Sequence, residues 1–123
     1  MINVDLRSNK PIYEQIIEQM KSAVLKGYLK PGDPIPSVRK MALDLSVTPG
    51  TVAKAYKELE RQKVIETIRA KGTFIAEGIE MKPDTENIDK IKSDMKSLIV
   101  ELKYMGLSEV EVATIAKDIY KDI

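Results

Sequence analysis

The sequence predicts a mostly α-helical chain with a small β component, of the α+β class, and three observations carry that prediction. Apolar residues recur at helical spacing through the N-terminal half. Two short β-prone stretches joined by a basic turn follow, at 64–68 and 73–76. Helical spacing then returns from residue 88 to the end. At 123 residues the chain suits one ordinary domain, or a small domain with an appendage.

The first helix opens at Pro11, a residue suited to the first helical position, and Ile12, Ile16, Met20, Ala23 and Val24 share one face. Gly27 offers it a left-handed stop. Residues 29–36 then hold Pro31, Gly32, Pro34 and Pro36, which predicts a turn-rich connector. A short second helix follows Ser37 as N-cap, with Val38, Met41, Ala42 and Leu45 inward, and ends at Ser46-Val47. Thr48-Pro49 is a strong start signal for a third helix running to about Gln62. That helix is expected to bury Val52, Ala55, Tyr56 and Leu59, with Arg61 and Lys63 near the negative end of its dipole.

The β-prone stretches 64–68 and 73–76 read as a two-stranded hairpin whose tip is Arg69-Ala70-Lys71-Gly72. Helix, helix, turn, helix and a basic-tipped hairpin is the order of a winged helix-turn-helix, expected at 1–77. Residues 78–84 read as a linker, and 85–123 as a two-helix dimerisation hairpin. Its first helix carries Ile88, Ile91, Met95, Leu98, Leu102 and Met105 at 3-4-3-4-3 spacing, a narrow coiled-coil-like seam. Gly106 ends it. Ser108 and Glu111 then form a capping box for a last helix with Val112, Ile115, Ala116, Ile119 and Ile123 on one face.

Composition narrows the function. No Cys and no His means no disulfide framework, no thiolate nucleophile and none of the commonest metal ligand or neutral-pH acid–base side chains. No nucleophile–base pair, glycine-rich phosphate loop or metal-ligand cluster is recognisable, so neither enzyme nor cofactor is expected. The N-terminus lacks an apolar leader, and runs such as Leu98-Ile99-Val100 are too short to span a bilayer, so a soluble cytoplasmic protein without membrane contact is expected. The balance of 20 Lys+Arg against 19 Asp+Glu hides an uneven distribution. Residues 37–71 hold 8 basic against 4 acidic side chains, and residues 81–123 hold 7 against 9. The positive excess lies where an anion-binding surface is needed.

A helix that enters the major groove needs small or polar residues at its N-terminal end and cations around it for phosphates. Thr48, Gly50, Thr51 and Lys54 supply that end, with Lys57 and Arg61 further along. Arg39 and Lys40 on the preceding helix, and Arg69 and Lys71 at the hairpin tip, supply further cations. Taken singly, each has a plainer role: Thr48-Pro49 as a cap, the lysines as a solvated face, the tip as a solubility device. Their succession on three consecutive elements favours double-stranded DNA, although winged helices also serve as modules in protein assemblies.

Several stretches also resemble one family. Pro11-Ile12-Tyr13-Glu14-Gln15-Ile16, Leu29-Lys30-Pro31-Gly32-Asp33, Ile35-Pro36-Ser37-Val38-Arg39, Val47-Thr48-Pro49-Gly50-Thr51-Val52, Ala55-Tyr56-Lys57-Glu58-Leu59-Glu60 and Lys71-Gly72-Thr73-Phe74-Ile75 look like the GntR winged-helix repressors. The match covers about residues 8–77, and the short two-helix tail resembles the YtrA subfamily. The resemblance implies a dimeric transcription regulator, often a repressor, on a palindromic operator, frequently near an ABC-transporter operon. It implies base or phosphate contacts from Arg39, phosphate contacts from Thr48 and Thr51, and entry of Lys71-Gly72 into the minor groove. Some relatives carry Arg at the positions of Pro49 and Ala53, and Asn at that of Gly50, so direct base readout by the third helix is weaker here. Two short helices cannot enclose two apolar faces alone, so pairing with a second copy through the tail is expected. No residue pattern identifies a small-molecule effector.

Overall fold

The computed structural model describes residues 2–78 and 84–123. They divide into two compact units, Met1–Ile79 and Glu80–Ile123. Of the linker expected at 78–84, residues 79–83 lie outside the described residues.

The first unit contains α1 (Ile12–Leu25), β1 (Pro34–Ile35), α2 (Val38–Leu45), α3 (Pro49–Arg61), β2 (Ile65–Ile68) and β3 (Gly72–Ile75). Pro11 sits one position earlier than expected, as the N-cap of α1 rather than its first residue. The helix closes as anticipated at Gly27, whose φ of 78° is left-handed territory that suits a residue without Cβ. There the Tyr28 amide donates to the Ala23 carbonyl (2.9 Å) and the Gly27 amide to Val24 (3.1 Å), the paired bonds of a Schellman stop.

The sheet departs from expectation. The proline-rich connector hides a third strand, so the hairpin is part of an antiparallel sheet of order β1-β3-β2. Pro34 pairs with Phe74 and Ile35 with Thr73, while Ile65 pairs with Ile75 and Ile68 with Gly72. An edge strand tolerates Pro34 because proline's missing N–H faces no neighbour there. Just before it, the Gly32 amide donates to the Ile75 carbonyl and the Ile75 amide to Asp33, each at 2.8 Å.

The two other helices and β2 close on α3, with β1 and β3 joined to β2 through the sheet. Val52, Ala55, Tyr56 and Leu59 are buried, and α3 packs against α1, α2 and β2. Ile16, Met20 and Ala23 come from α1, Met41 and Ala42 from α2, and Ile35, Ile65 and Ile75 from the sheet. Val38 and Leu45 pack at the edge of this core. The N-terminal segment also contributes, which the helical spacing did not indicate. The Gln15 side chain accepts from the Asp5 amide (2.8 Å) and donates to the Asp5 (3.0 Å) and Lys10 (2.9 Å) carbonyls. One turn on, Gln19 accepts from the Asn3 amide at 2.7 Å and donates to the Asn3 carbonyl. The two glutamines thus hold alternate residues of the segment, while Ile2 is buried in the core and Val4 packs against it.

The second unit is α4 (Thr85–Tyr104) and α5 (Glu109–Lys121). Asp84 caps α4 by accepting from the Asn87 amide (3.3 Å). Around Gly106 the Leu107 amide donates to the Leu102 carbonyl (3.1 Å) and the Gly106 amide to Lys103 (3.0 Å), the same stop as in α1. The expected capping box is present: the Ser108 amide donates to the Glu111 carboxylate (3.0 Å) and the Glu111 amide to the Ser108 hydroxyl (3.2 Å). Neither helix contains a buried residue.

Because α3 organises the first core, its inward residues set stability. Leu59→Ala is expected to cost about 2–5 kcal/mol through loss of buried apolar contact and the cavity left behind. Leu43→Ala, at a side chain 74% exposed, is expected to change stability by about 0.5 kcal/mol or less. Urea unfolding of the two variants checks both values.

Candidate nucleic-acid interface

The helix-turn-helix is built from α2, α3 and the turn between them. The Ser37 hydroxyl accepts from the Lys40 amide (3.1 Å) and caps α2, as its position suggested. Ser46 adopts a left-handed conformation (φ 56°), and the Val47 amide donates to the Ala42 carbonyl (3.0 Å). This tight reversal brings the chain into α3 within three residues. Thr48 occupies the N-cap and Pro49 the first helical position, as expected. The Thr48 side chain does not cap the helix, however: its hydroxyl lies 2.9 Å from that of Thr51, and the two share a hydrogen bond.

Tyr56 links α3 to the segment that leads into α2. Its hydroxyl donates to the Pro36 carbonyl at 2.7 Å, tying the centre of α3 to the entry of α2. Burial pushes the phenol up to about 12, so it stays a neutral donor through the physiological range. With Val52, Ala55, Tyr56 and Leu59 turned inward, α3 presents Pro49, Gly50, Ala53 and Lys57 as exposed positions.

The cations expected at this surface divide into two groups. The side chains of Arg39, Lys57, Arg69 and Lys71 are exposed and make no hydrogen bond or ion pair among the described residues. Lys40, Lys54 and Arg61 are engaged. Lys40 stands 3.5 Å from Asp44 one turn along α2, an exposed pairing of little energetic consequence. Lys54, expected on the groove-facing side, instead places its ammonium 3.9 Å above the Tyr13 ring of α1. Arg61 grips Glu58 through Nε (2.9 and 3.1 Å) and Nη2 (2.6 Å). The spacings i,i+4 for Lys40–Asp44 and i,i+3 for Glu58–Arg61 are the sequence signals that could have shown two of these pairings. Nothing in the spacing pointed to Tyr13.

The hairpin carries Arg69, Ala70 and Lys71 at its turn. The Lys71 amide donates to the Ile68 carbonyl (3.0 Å), and Ala70 takes a left-handed φ of 67°. Gly72 begins β3 with a φ of 123°, a conformation that side chains disfavour. Below the tip, the Thr67 hydroxyl donates to the Glu60 carboxylate of α3 at 2.7 Å, linking strand to helix. Arg39, Lys40, Thr48, Gly50, Thr51, Lys54, Arg61, Arg69, Lys71 and Gly72 thus share one compact unit.

In the second unit the apolar seam is open. Ile88, Ile91, Met95, Leu98 and Met105 range from 36% to 70% exposed, and Ile115 and Ile119 on α5 are 38% and 57% exposed. Leu102 and Val112 are half-buried. A contact between two isolated helices leaves most of both apolar faces in water. No helix among the described residues is long and apolar enough to cross a membrane.

The Arg61 and Gln62 hydrogen bonds hold the Glu58 carboxyl down at about 2. A carboxyl lowered on folding stabilises the protein above its unfolded value near 4.5, and that contribution disappears as the pH falls toward about 2. The stability difference between the parent chain and Glu58→Gln is therefore expected to shrink between pH 5 and pH 2.5. Denaturant titrations across that range at low salt are the check, since the group is partly exposed and its pairing is screened by salt.

Residues 12–75 match the family described as "Bacterial regulatory proteins, gntR family". Over 123 residues the chain is 46% identical to the HTH-type transcriptional repressor YtrA of Bacillus subtilis, covering all of this chain and 95% of the relative. A crystal structure of a transcriptional antiterminator from Listeria monocytogenes superposes with a TM-score of 0.90 at 38% identity, over 99% of this chain and 91% of that one. YtrA from Sulfolobus acidocaldarius, a GntR-family transcription factor, gives 0.57 at 28% identity over 99% and 98%. The DNA-binding domain of AraR, in complex with operator ORX1, gives 0.53 at 27% identity over 59% and 90%. These relatives are regulators rather than enzymes, and the helix-turn-helix with its wing lies within the residues that all of them match: this chain belongs to the GntR family, as a DNA-binding transcriptional repressor of the YtrA type.

Proposed function

We propose that this repressor acts as a homodimer on a palindromic operator, with the start of α3 in the major groove and the hairpin tip in the minor groove. The observation that carries the reading is the division of the cations. Arg39, Arg69 and Lys71 stay uncommitted around an α3 whose first turn is bare, while Lys54 and Arg61 are held by the protein itself. Phosphate affinity is then assigned to Lys57 and the tip, with Thr48 and Thr51 as neutral contacts and Lys40 in support, while Arg39 reaches base edges as well as phosphate. Arg61 and Lys54 take lesser parts than their positions suggested. Operator occupancy shuts off a promoter, and the resemblance to YtrA regulators points to a transporter-type operon. A chromosomal operator places the protein in the cytoplasm.

Two copies are joined through α4 and α5 in this reading. The seam of Ile88, Ile91, Met95, Leu98 and Met105, exposed but for the half-buried Leu102, supports it with Ile115 and Ile119, because pairing removes those side chains from water. Dimerisation also sets two recognition helices about 34 Å apart, matching half-sites one helical turn apart.

Arg39→Ala is expected to weaken operator binding by about 1–3 kcal/mol, read by gel-shift titration on the duplex selected by the parent chain. Affinity of the parent should also fall by about a thousandfold or more between 50 and 200 mM salt. An adaptor for other proteins shows no duplex affinity at either salt.

Leu98→Asp places a charge in the seam at a side chain that nothing in its own unit buries. It is expected to convert the dimer to a monomer in sedimentation velocity while the helical circular dichroism stays within about 10% of the parent. A dimer that persists in this variant excludes the seam as the interface.

A further inference from the structure

The exposed face at the start of α3 has an unusual chemistry for a sequence-reading helix. Its central positions are Gly50, with no side chain, and Ala53, with a single methyl. The nearest hydroxyls, Thr48 and Thr51, are hydrogen-bonded to each other at 2.9 Å. The nearest cation along the helix, Lys54, turns away to the Tyr13 ring at 3.9 Å. Between α2 and α3 a shallow cleft of about 420 Å³ is lined by Arg39, Ala42, Leu43, Ser46, Val47 and Pro49. Leu43 stands 74% exposed at its wall, in a helix whose inward face is already filled by Met41 and Ala42. Pro49 joins the cleft to Ala53, one turn further along α3. A continuous apolar strip therefore runs from Leu43 through Pro49 to Ala53, with the uncommitted guanidinium of Arg39 beside it.

In the major groove the one apolar group a base pair displays is the C5-methyl of thymine. The purine acceptors and the amino donors all require polar partners, which this strip lacks. Gly50 lets the backbone approach closely enough for methyl contact. From this juxtaposition we infer that the Leu43–Pro49–Ala53 strip reads thymine methyl groups of the operator, leaving hydrogen-bonded base recognition to Arg39. The occupant is duplex DNA rather than a protein helix, because the strip is flanked by an unpaired cation and lies at the start of α3, the helix proposed to enter the major groove. The inference rests on the proposed placement of α3 in the major groove and adds what it reads there.

The test starts from a duplex selected by the full-length protein from a random pool. Each thymine is then replaced by deoxyuridine, which removes only the C5-methyl, and affinity is measured by fluorescence anisotropy. At one or more thymines per half-site the dissociation constant is expected to rise about three- to fourfold for each methyl lost, the effect of leaving one such group unburied. Replacement in both half-sites together is expected to raise it by about tenfold. In Leu43→Ala or Ala53→Gly that sensitivity should shrink at the same thymines. Leu43 and Ala53 are both exposed, and circular dichroism confirms folded variants before titration. Unchanged affinity for every deoxyuridine duplex overturns methyl reading while DNA binding itself stands. Sensitivity that persists undiminished in both variants overturns the assignment to this strip. Failure to select any duplex overturns both this inference and the operator reading.

Discussion

The burial of one face of α3 is the constraint on which the DNA-facing unit depends. Val52, Ala55, Tyr56 and Leu59 are removed from water by α1, α2 and β2 together, so none of those elements closes its core without this helix. A helix held on one face by three neighbours has little freedom to rotate about its axis. Its opposite face is thereby defined, and the Tyr56 hydroxyl on Pro36 sets the relation of α3 to α2. Glu60 on Thr67 connects the same helix to the wing strand. The surface proposed to read DNA is thus a consequence of the core.

A second theme is how charge is handled once that face is fixed. A chain with nearly equal numbers of acids and bases does not present a uniformly basic surface. Glu58 holds Arg61, Asp44 faces Lys40, and Tyr13 takes Lys54, so these cations are partly satisfied before any partner arrives. The cations left uncommitted sit on α2, mid-α3 and the wing tip. Exposed pairings are weak and yield to a phosphate, so the division biases the contacts rather than forbidding any of them.

Much of this was legible in the sequence because it follows from local rules. Pro49 after Thr48, Ser37 before α2, and Ser108 with Glu111 each mark a helix start through the chemistry of unsatisfied amides. The period-3.6 recurrence of Val52, Tyr56 and Leu59 identifies the inward face without reference to anything distant. What escaped was non-local. β1 is two residues long and lies among three prolines, and only its pairing with Phe74 and Thr73 makes it a strand. The grip of Gln15 and Gln19 on the N-terminal backbone joins residues 10 and 16 positions apart, a separation that carries no periodicity. Lys54 looked like a groove-facing cation because its position on α3 permits that, and only the arrival of Tyr13 from α1 redirects it. The seam of α4 was legible as a pattern, and its exposure in the folded unit is what the proposed pairing with a second copy covers.

The central claim is that two such units, joined through α4 and α5, set their bare α3 faces and uncommitted cations against successive turns of one duplex. Ethylation interference on the selected operator tests it most directly, since each modified phosphate reports a contact independently of base sequence. Two symmetric clusters of interfering phosphates are expected, with their centres about one helical turn apart. A single cluster, or binding indifferent to phosphate modification, contradicts it.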